Sequence, residues 1–303
     1  MISARIRSLR KKYYDYGIDG YIVPKNDEFF GEYSNQDRLK IISGFDGSAG
    51  LAVILKDKNY LFVDGRYTIQ AKKQSGKKFR IMEIPNIFPK DLFIIENYKI
   101  GFNPKLFTDL MLKRYFGNKT KLIPVEFLFK NKNKKNVSKV FHLNKYIVGE
   151  SSSSKINKVK KYMERFKINY LYISASENVN WLLNIRGKDL PNSPLVNCKL
   201  IIPENGKQYL FINQNKISNL IRKYFKNINL CQEEDLLKVI SKLNSGSFCI
   251  DKTTCSLFEE GIINSKFNVY EAYTEFWANI LNCTFTAYYL SEGVIDDFLI
   301  YSE

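Results

Sequence analysis

IISGFDGSAGLAVIL, residues 41–55, carries three evenly spaced glycines, Gly44, Gly47 and Gly50, and then turns apolar. Glycines in such a row often press backbone against a phosphate. The dinucleotide-binding fingerprint, however, needs a strand before its glycines and a helix after them, so that phosphate meets a helix N-terminus. Here the spacing is G-x-x-G-x-x-G, a helix-like RLKII precedes it and the strand-like LAVIL follows. A helix C-terminus carries partial negative charge and repels phosphate. No G-K-[ST] follows either, which excludes a Walker A loop. The reading is structural: Gly44 ends a helix, and the other glycines let the chain pass closely into a strand. LAVIL and YLFVD (60–64) then pair as a hairpin across KDKN.

Working outward, the surroundings of this hairpin occur twice. Ile2, Ile6, Leu9, Tyr13 and Tyr16 share one face of a helix over 2–16, Gly17 suits its stop, and GYIVP follows as a buried strand. In the second half, Ser154 is the expected N-cap of a helix with Ile156, Val159, Met163 and Phe166 on one face, and NYLYI follows as a strand. Tyr21 and Tyr170 lie 149 positions apart, as do Tyr60 and Tyr209, and IGFNP (100–104) and CIDKT (249–253) keep the same offset. A constant offset marks a duplicated unit of helix, strand, helix, hairpin, strand and helix. The fold class is α/β: two similar domains, each a mixed β-sheet flanked by helices. The expected division is 1–128, a basic linker over 129–154, 155–271, and an atypical tail over 272–303.

Composition narrows the chemistry. The chain has 303 residues, 45% of them hydrophobic, enough for two cores. No apolar run is long enough to span a membrane, and no apolar segment follows the basic start to make a signal peptide, so a cytoplasmic protein is expected. The five cysteines, Cys198, Cys231, Cys249, Cys255 and Cys283, include no C-x-x-C pair and read as reduced thiols. The net charge is +16, but the lysines are scattered without interleaved aromatics, which argues against a nucleic-acid partner. The single histidine, His142, excludes a two-histidine metal site and reads as a bystander. Asp27, Glu28 and Glu32 read as helix caps, Trp181, Leu182 and Leu183 as core, and Arg186 and Asp189 as a pair across a loop.

VPKNDEFFGEY (23–33), ISGFDGSAG (42–50) and FVDGRYTIQA (62–71) resemble the N-terminal domain of Xaa-Pro aminopeptidases, of the creatinase and aminopeptidase P family. ENVNWLLNIRGKDLPNSPL (177–195) resembles the middle domain of its three-domain members. The resemblance covers residues 1–271 and implies two creatinase N-terminal-like domains. It also implies that the chemistry lies in a third, pita-bread domain. There two Asp, one His and two Glu hold a dinuclear centre, usually manganese, whose bridging hydroxide cleaves the bond before proline. That domain is expected to be absent here, so no metal ligand or catalytic residue is assigned. The arginine of the family's D-G-R-Y motif contacts substrate, and that position is Arg66, whose planar fork suits a peptide carbonyl or carboxylate. The resemblance implies proline-containing peptides as substrates. It implies a truncated aminopeptidase without catalysis of its own, half of a split enzyme completed by a separate metal-binding chain, or a non-catalytic binding module. The tail has no Lys or Arg after Lys266, and a frameshift from near residue 272 is the expected cause.

Overall fold

The computed structural model describes residues 2–31, 37–92, 98–125 and 138–271. The first unit contains strands β1 (Gly20–Pro24), β2 (Leu51–Leu55), β3 (Asn59–Asp64), β4 (Arg80–Ile84), β5 (Lys99–Phe102) and β6 (Lys121–Pro124). They form one sheet in the order β4-β3-β2-β1-β5-β6. β2 is antiparallel to β1 and β3; the outer pairings are parallel. Every residue of β1 and β2 is buried. This is why GYIVP and LAVIL are unbroken apolar runs rather than alternating ones. Helices α1 (Ile2–Lys11), α2 (Arg38–Ser43) and α3 (Thr68–Ser75) cover one face through Ile6, Leu9, Leu39, Ile42 and Ala71. Helix α4 (Asp109–Phe116) covers the other through Leu112 and Phe116.

The second unit begins with β7 (Phe141–His142), α5 (Lys145–Val148) and α6 (Ser152–Arg165). Then come β8 (Tyr170–Ile173), α7 (Ser176–Leu182), β9 (Ile185–Arg186), β10 (Cys198–Pro203), β11 (Gln208–Ile212), α8 (Asn219–Tyr224) and β12 (Ile228–Cys231). Helix α9 (Leu236–Lys242), β13 (Phe248–Ile250), α10 (Leu257–Asn264) and β14 (Val269–Glu271) complete it. The sheet order is β12-β11-β10-β8-β13-β14. Strand by strand this repeats the first sheet, with the same parallel and antiparallel neighbours. β3 begins at 59 and β11 at 208; β5 begins at 99 and β13 at 248. The offset read from the tyrosines therefore holds across the topology to within two residues at every strand start.

Several boundaries differ from the sequence reading. α1 stops at Lys11 rather than 16, because the chain must reverse: Ile18 N–H donates to the Tyr13 carbonyl. Tyr13 is buried, whereas Tyr16 is exposed. The N-cap of α6 is Ser151, whose hydroxyl accepts from Ser154 N–H, so the cap lies three residues before the one expected. Phe166 falls after that helix and is exposed. The expected linker over 129–154 is a linker only in name from Ser138 onward. Val140 lies in the second core, its N–H donates to the Lys216 carbonyl, and Phe141–His142 pairs with Ile185–Arg186. Residues 129–137 and the tail over 272–303 lie outside the described residues.

Candidate functional site

Arg66 stands where β3 ends. The Asp64 carboxylate accepts from Arg66 N–H at 3.0 Å and caps a short 3-10 turn, Gly65–Tyr67, which runs into α3. The same carboxylate accepts from Arg66 Nε at 2.8 Å, and the guanidinium carbon lies 5.5 Å from the Tyr67 ring centre. The hydrogen bond from the Arg66 side chain holds the Asp64 carboxyl below its ordinary range. Nη2 also reaches the other Asp64 oxygen at 3.5 Å, yet the Arg66 side chain as a whole is 74% exposed. An exposed pair of this kind holds its geometry weakly.

The glycine loop supports this turn. Gly44 caps α2 at φ +87°, a conformation that disfavours L side chains. A Cβ on Gly47 would sit 2.2 Å from Cζ of Phe45, and one on Gly50 would sit 3.2 Å from the same ring. The loop therefore closes over Phe45, which is fully buried, and its glycines admit a phenyl ring rather than a phosphate. Phe45 meets Tyr67 edge to face at 5.9 Å, and the Tyr67 hydroxyl shares a 2.8 Å hydrogen bond with Ser48. Asp46 accepts from Gln74 at 2.7 Å and Gln70 at 2.8 Å, and these bonds, Gln74 foremost, lower its pKa. The loop is thus tied to Tyr67, Gln70 and Gln74, the residues that follow Arg66.

The second unit supplies an internal control. After β11, Asn213 caps an equivalent turn, Gln214–Lys216, by accepting from Asn215 N–H at 3.0 Å. Asn215 lies 149 positions after Arg66. The fold makes the same capped turn without an arginine, so the guanidinium is not required by the backbone.

The other sequence-marked residues separate into local roles. The Asp27 carboxylate accepts from Phe29 N–H at 3.0 Å, and Glu28 pairs with Arg38 at 2.5 Å. These are a turn bond and an ion pair rather than helix caps; the cap of α2 is Asp37, which accepts from Lys40 N–H. Glu32 lies outside the described residues. Asp189 pairs with Lys216 at 2.6 Å, and Arg186 donates to the Asn180 and Ile185 carbonyls, so the expected loop pair takes other partners. The sequence pattern does not show this pairing because Lys216 lies 27 residues further along the chain, beyond the reach of a local pattern. Leu182 and Leu183 are core, with Trp181 packed against them under the Lys155 ammonium at 4.1 Å. Burial lowers the Lys155 pKa to about 8. His142 stacks on Tyr224 at 4.7 Å. Among the described residues, no group of three or more His, Cys, Asp or Glu is placed to hold a metal ion. No helix among them is long and apolar enough to cross a membrane.

Cys198 and Cys255 are buried, and burial pushes both thiols up. Burial likewise raises Cys249 to about 11. A raised pKa means less thiolate, the form that reacts. Iodoacetamide at pH 8 is therefore expected to leave all three unmodified in the native protein and to label them in urea. Peptide mapping reads the result, and native labelling of Cys198 or Cys255 would contradict this burial.

Residues 5–130 match the family of the creatinase/prolidase N-terminal domain, and residues 131–276 match a second family of the same description. A probable Xaa-Pro aminopeptidase P of Coprinopsis cinerea is 30% identical over 239 residues, covering 73% of this chain and 38% of that protein. Aminopeptidase P2 of Arabidopsis thaliana is 29% identical over 267 residues, covering 80% of this chain and 37% of that protein. The chain thus spans about two fifths of the length of these relatives. The X-prolyl aminopeptidase of Caenorhabditis elegans, described as a cytosolic enzyme with a di-nuclear active site, superposes with a TM-score of 0.80 at 22% identity. It covers 90% of this chain, which in turn covers 50% of it. The two sheets are therefore two creatinase/prolidase N-terminal domains in tandem, and the chain belongs to the creatinase/prolidase family, among the relatives of the Xaa-Pro aminopeptidases P.

Proposed function

We propose that this chain supplies the two non-catalytic domains of an Xaa-Pro aminopeptidase, with Arg66 presented to the peptide substrate. Cleavage before proline would come from a metal-binding domain outside the described residues, with manganese as the family's usual metal. The observation that carries the reading is the tandem pair over 5–276 in a chain similar to Xaa-Pro aminopeptidases P, with an exposed arginine on a turn that does not need one. The single histidine supports placing the metal centre elsewhere. A cytosolic location is part of the same proposal.

The purified chain with manganese is expected to release no N-terminal residue from X-Pro peptides. Robust release by the chain alone would overturn the reading. Co-expression with a creatinase-type catalytic fragment, fused or separate, should give cleavage. In that assembly Arg66→Ala is expected to lower kcat/KM about 10- to 100-fold, the worth of about 1.5–3 kcal/mol for a hydrogen bond to a charged group. Arg66→Asn, which copies the second unit's turn, should do the same without loss of stability. Full activity in both variants would remove Arg66 from the site.

A further inference from the structure

The two units meet through corresponding ends of their sheets. The first contributes the segments after β1 and β5; the second contributes the start of β10 and the segment after β13. Leu257 N–H donates to the Phe107 carbonyl at 2.9 Å, and the Leu257 side chain packs against the first unit's core. Phe107 and Ser256 are counterparts at the 149-residue offset, so nearly equivalent backbone faces itself across the boundary. Beside this contact the described residues do not fill the junction. A cavity of about 580 Å³ lies there, with Glu28, Phe29, Lys105, Lys199, Phe258 and Glu259 in its wall.

Two cations cross the boundary in opposite directions. The Lys199 ammonium of the second unit donates to the Glu28 carbonyl at 2.7 Å and lies 5.1 Å from the Phe29 ring centre. The Lys105 ammonium of the first unit lies 4.4 Å from the Phe258 ring centre. Each unit thus gives one cation and one aromatic face, an attraction that strengthens when desolvated. Lys199 is 8% exposed and sits in CKLIIP, a strand whose every residue is buried. A lysine there is costly unless its charge is matched and bonded. Glu259 matches it at 2.5 Å, and Glu259 is itself held by the Tyr172 hydroxyl at 2.7 Å and the Ser256 hydroxyl at 2.8 Å. The counterpart of Lys199 in the first unit is Gly50, so this lysine is not part of the shared fold.

We propose that Lys199 and Lys105, with Phe29 and Phe258, form a latch. It holds the units together across a partly empty junction, and its release opens the junction while each unit stays folded. Hydrogen exchange on the full chain tests this. Phe29→Ala/Lys105→Ala alters residues outside both units' cores. It is expected to lower amide protection at least tenfold in 26–30 and 257–259 and to leave β2, β3, β10 and β11 unchanged. Lys199→Met/Glu259→Gln, which removes the cation without stranding a buried carboxylate, should give the same pattern. Unchanged protection at the junction in both variants overturns the latch. Loss of protection in the strands as well also overturns it, because these residues would then belong to the units' own folds.

Discussion

Asp189→Ala is expected to destabilise the protein by about 3–5 kcal/mol, the loss typical of breaking one side of a buried ion pair. Asp189 is 3% exposed and Lys216 is 7% exposed. Besides Lys216 at 2.6 Å, the Asp189 carboxylate accepts from Asn197 N–H at 2.7 Å and the Ser138 hydroxyl at 3.0 Å. Removing it leaves an ammonium buried without its counter-charge and strips a bond from the segment that enters the second unit. The attraction itself is not the larger part of this loss; the uncompensated charge is. Asp189→Leu/Lys216→Met should therefore be far milder than the single variant, because both charges leave together. Urea unfolding of the two variants gives the comparison. A single-variant loss near 1 kcal/mol would place the pair in a wetter setting than its burial indicates.

Phe45→Ala is expected to cost about 3–5 kcal/mol, the usual loss for emptying a buried phenyl site. Gly47→Ala is expected to cost about 1–3 kcal/mol by overpacking, since its new methyl would overlap the Phe45 ring. The two effects should not add. With the ring gone, the Gly47 methyl has room, so in a Phe45→Ala background the second substitution should cost almost nothing. Additive losses in the double-mutant cycle would show that Gly47 is needed for its backbone rather than for the ring.

The architecture was legible because its signals are local and repeated. The Gly44 stop, the β2–β3 hairpin and the tyrosine offset each lie within short reach in the sequence, and each reappears in the fold. The parallel edge strands were not legible. RIMEI and KLIP are half-exposed and carry Arg80, Glu83 and Lys121, so neither alternation nor an apolar run marks them. Arg66 was visible only through the D-G-R-Y motif, since nothing in its spacing separates it from a surface arginine. What gives it meaning is the comparison of its turn with the one capped by Asn213. Lys199 left one faint sign, a lone charge inside an otherwise apolar strand. Its partners, Glu28 and Glu259, lie far away in the chain on opposite sides of it, and no local pattern joins them.

Because each six-stranded sheet draws all its strands from one half of the chain, neither sheet waits for the other during synthesis. β6 ends at Pro124 and β14 at Glu271. At about 5–20 residues per second, the ribosome emits the second sheet roughly seven to thirty seconds after the first has everything it needs to close. The early sheet then exists alone for that interval, with the Phe107 edge awaiting Leu257, and this nascent half is the species on which a chaperone would act.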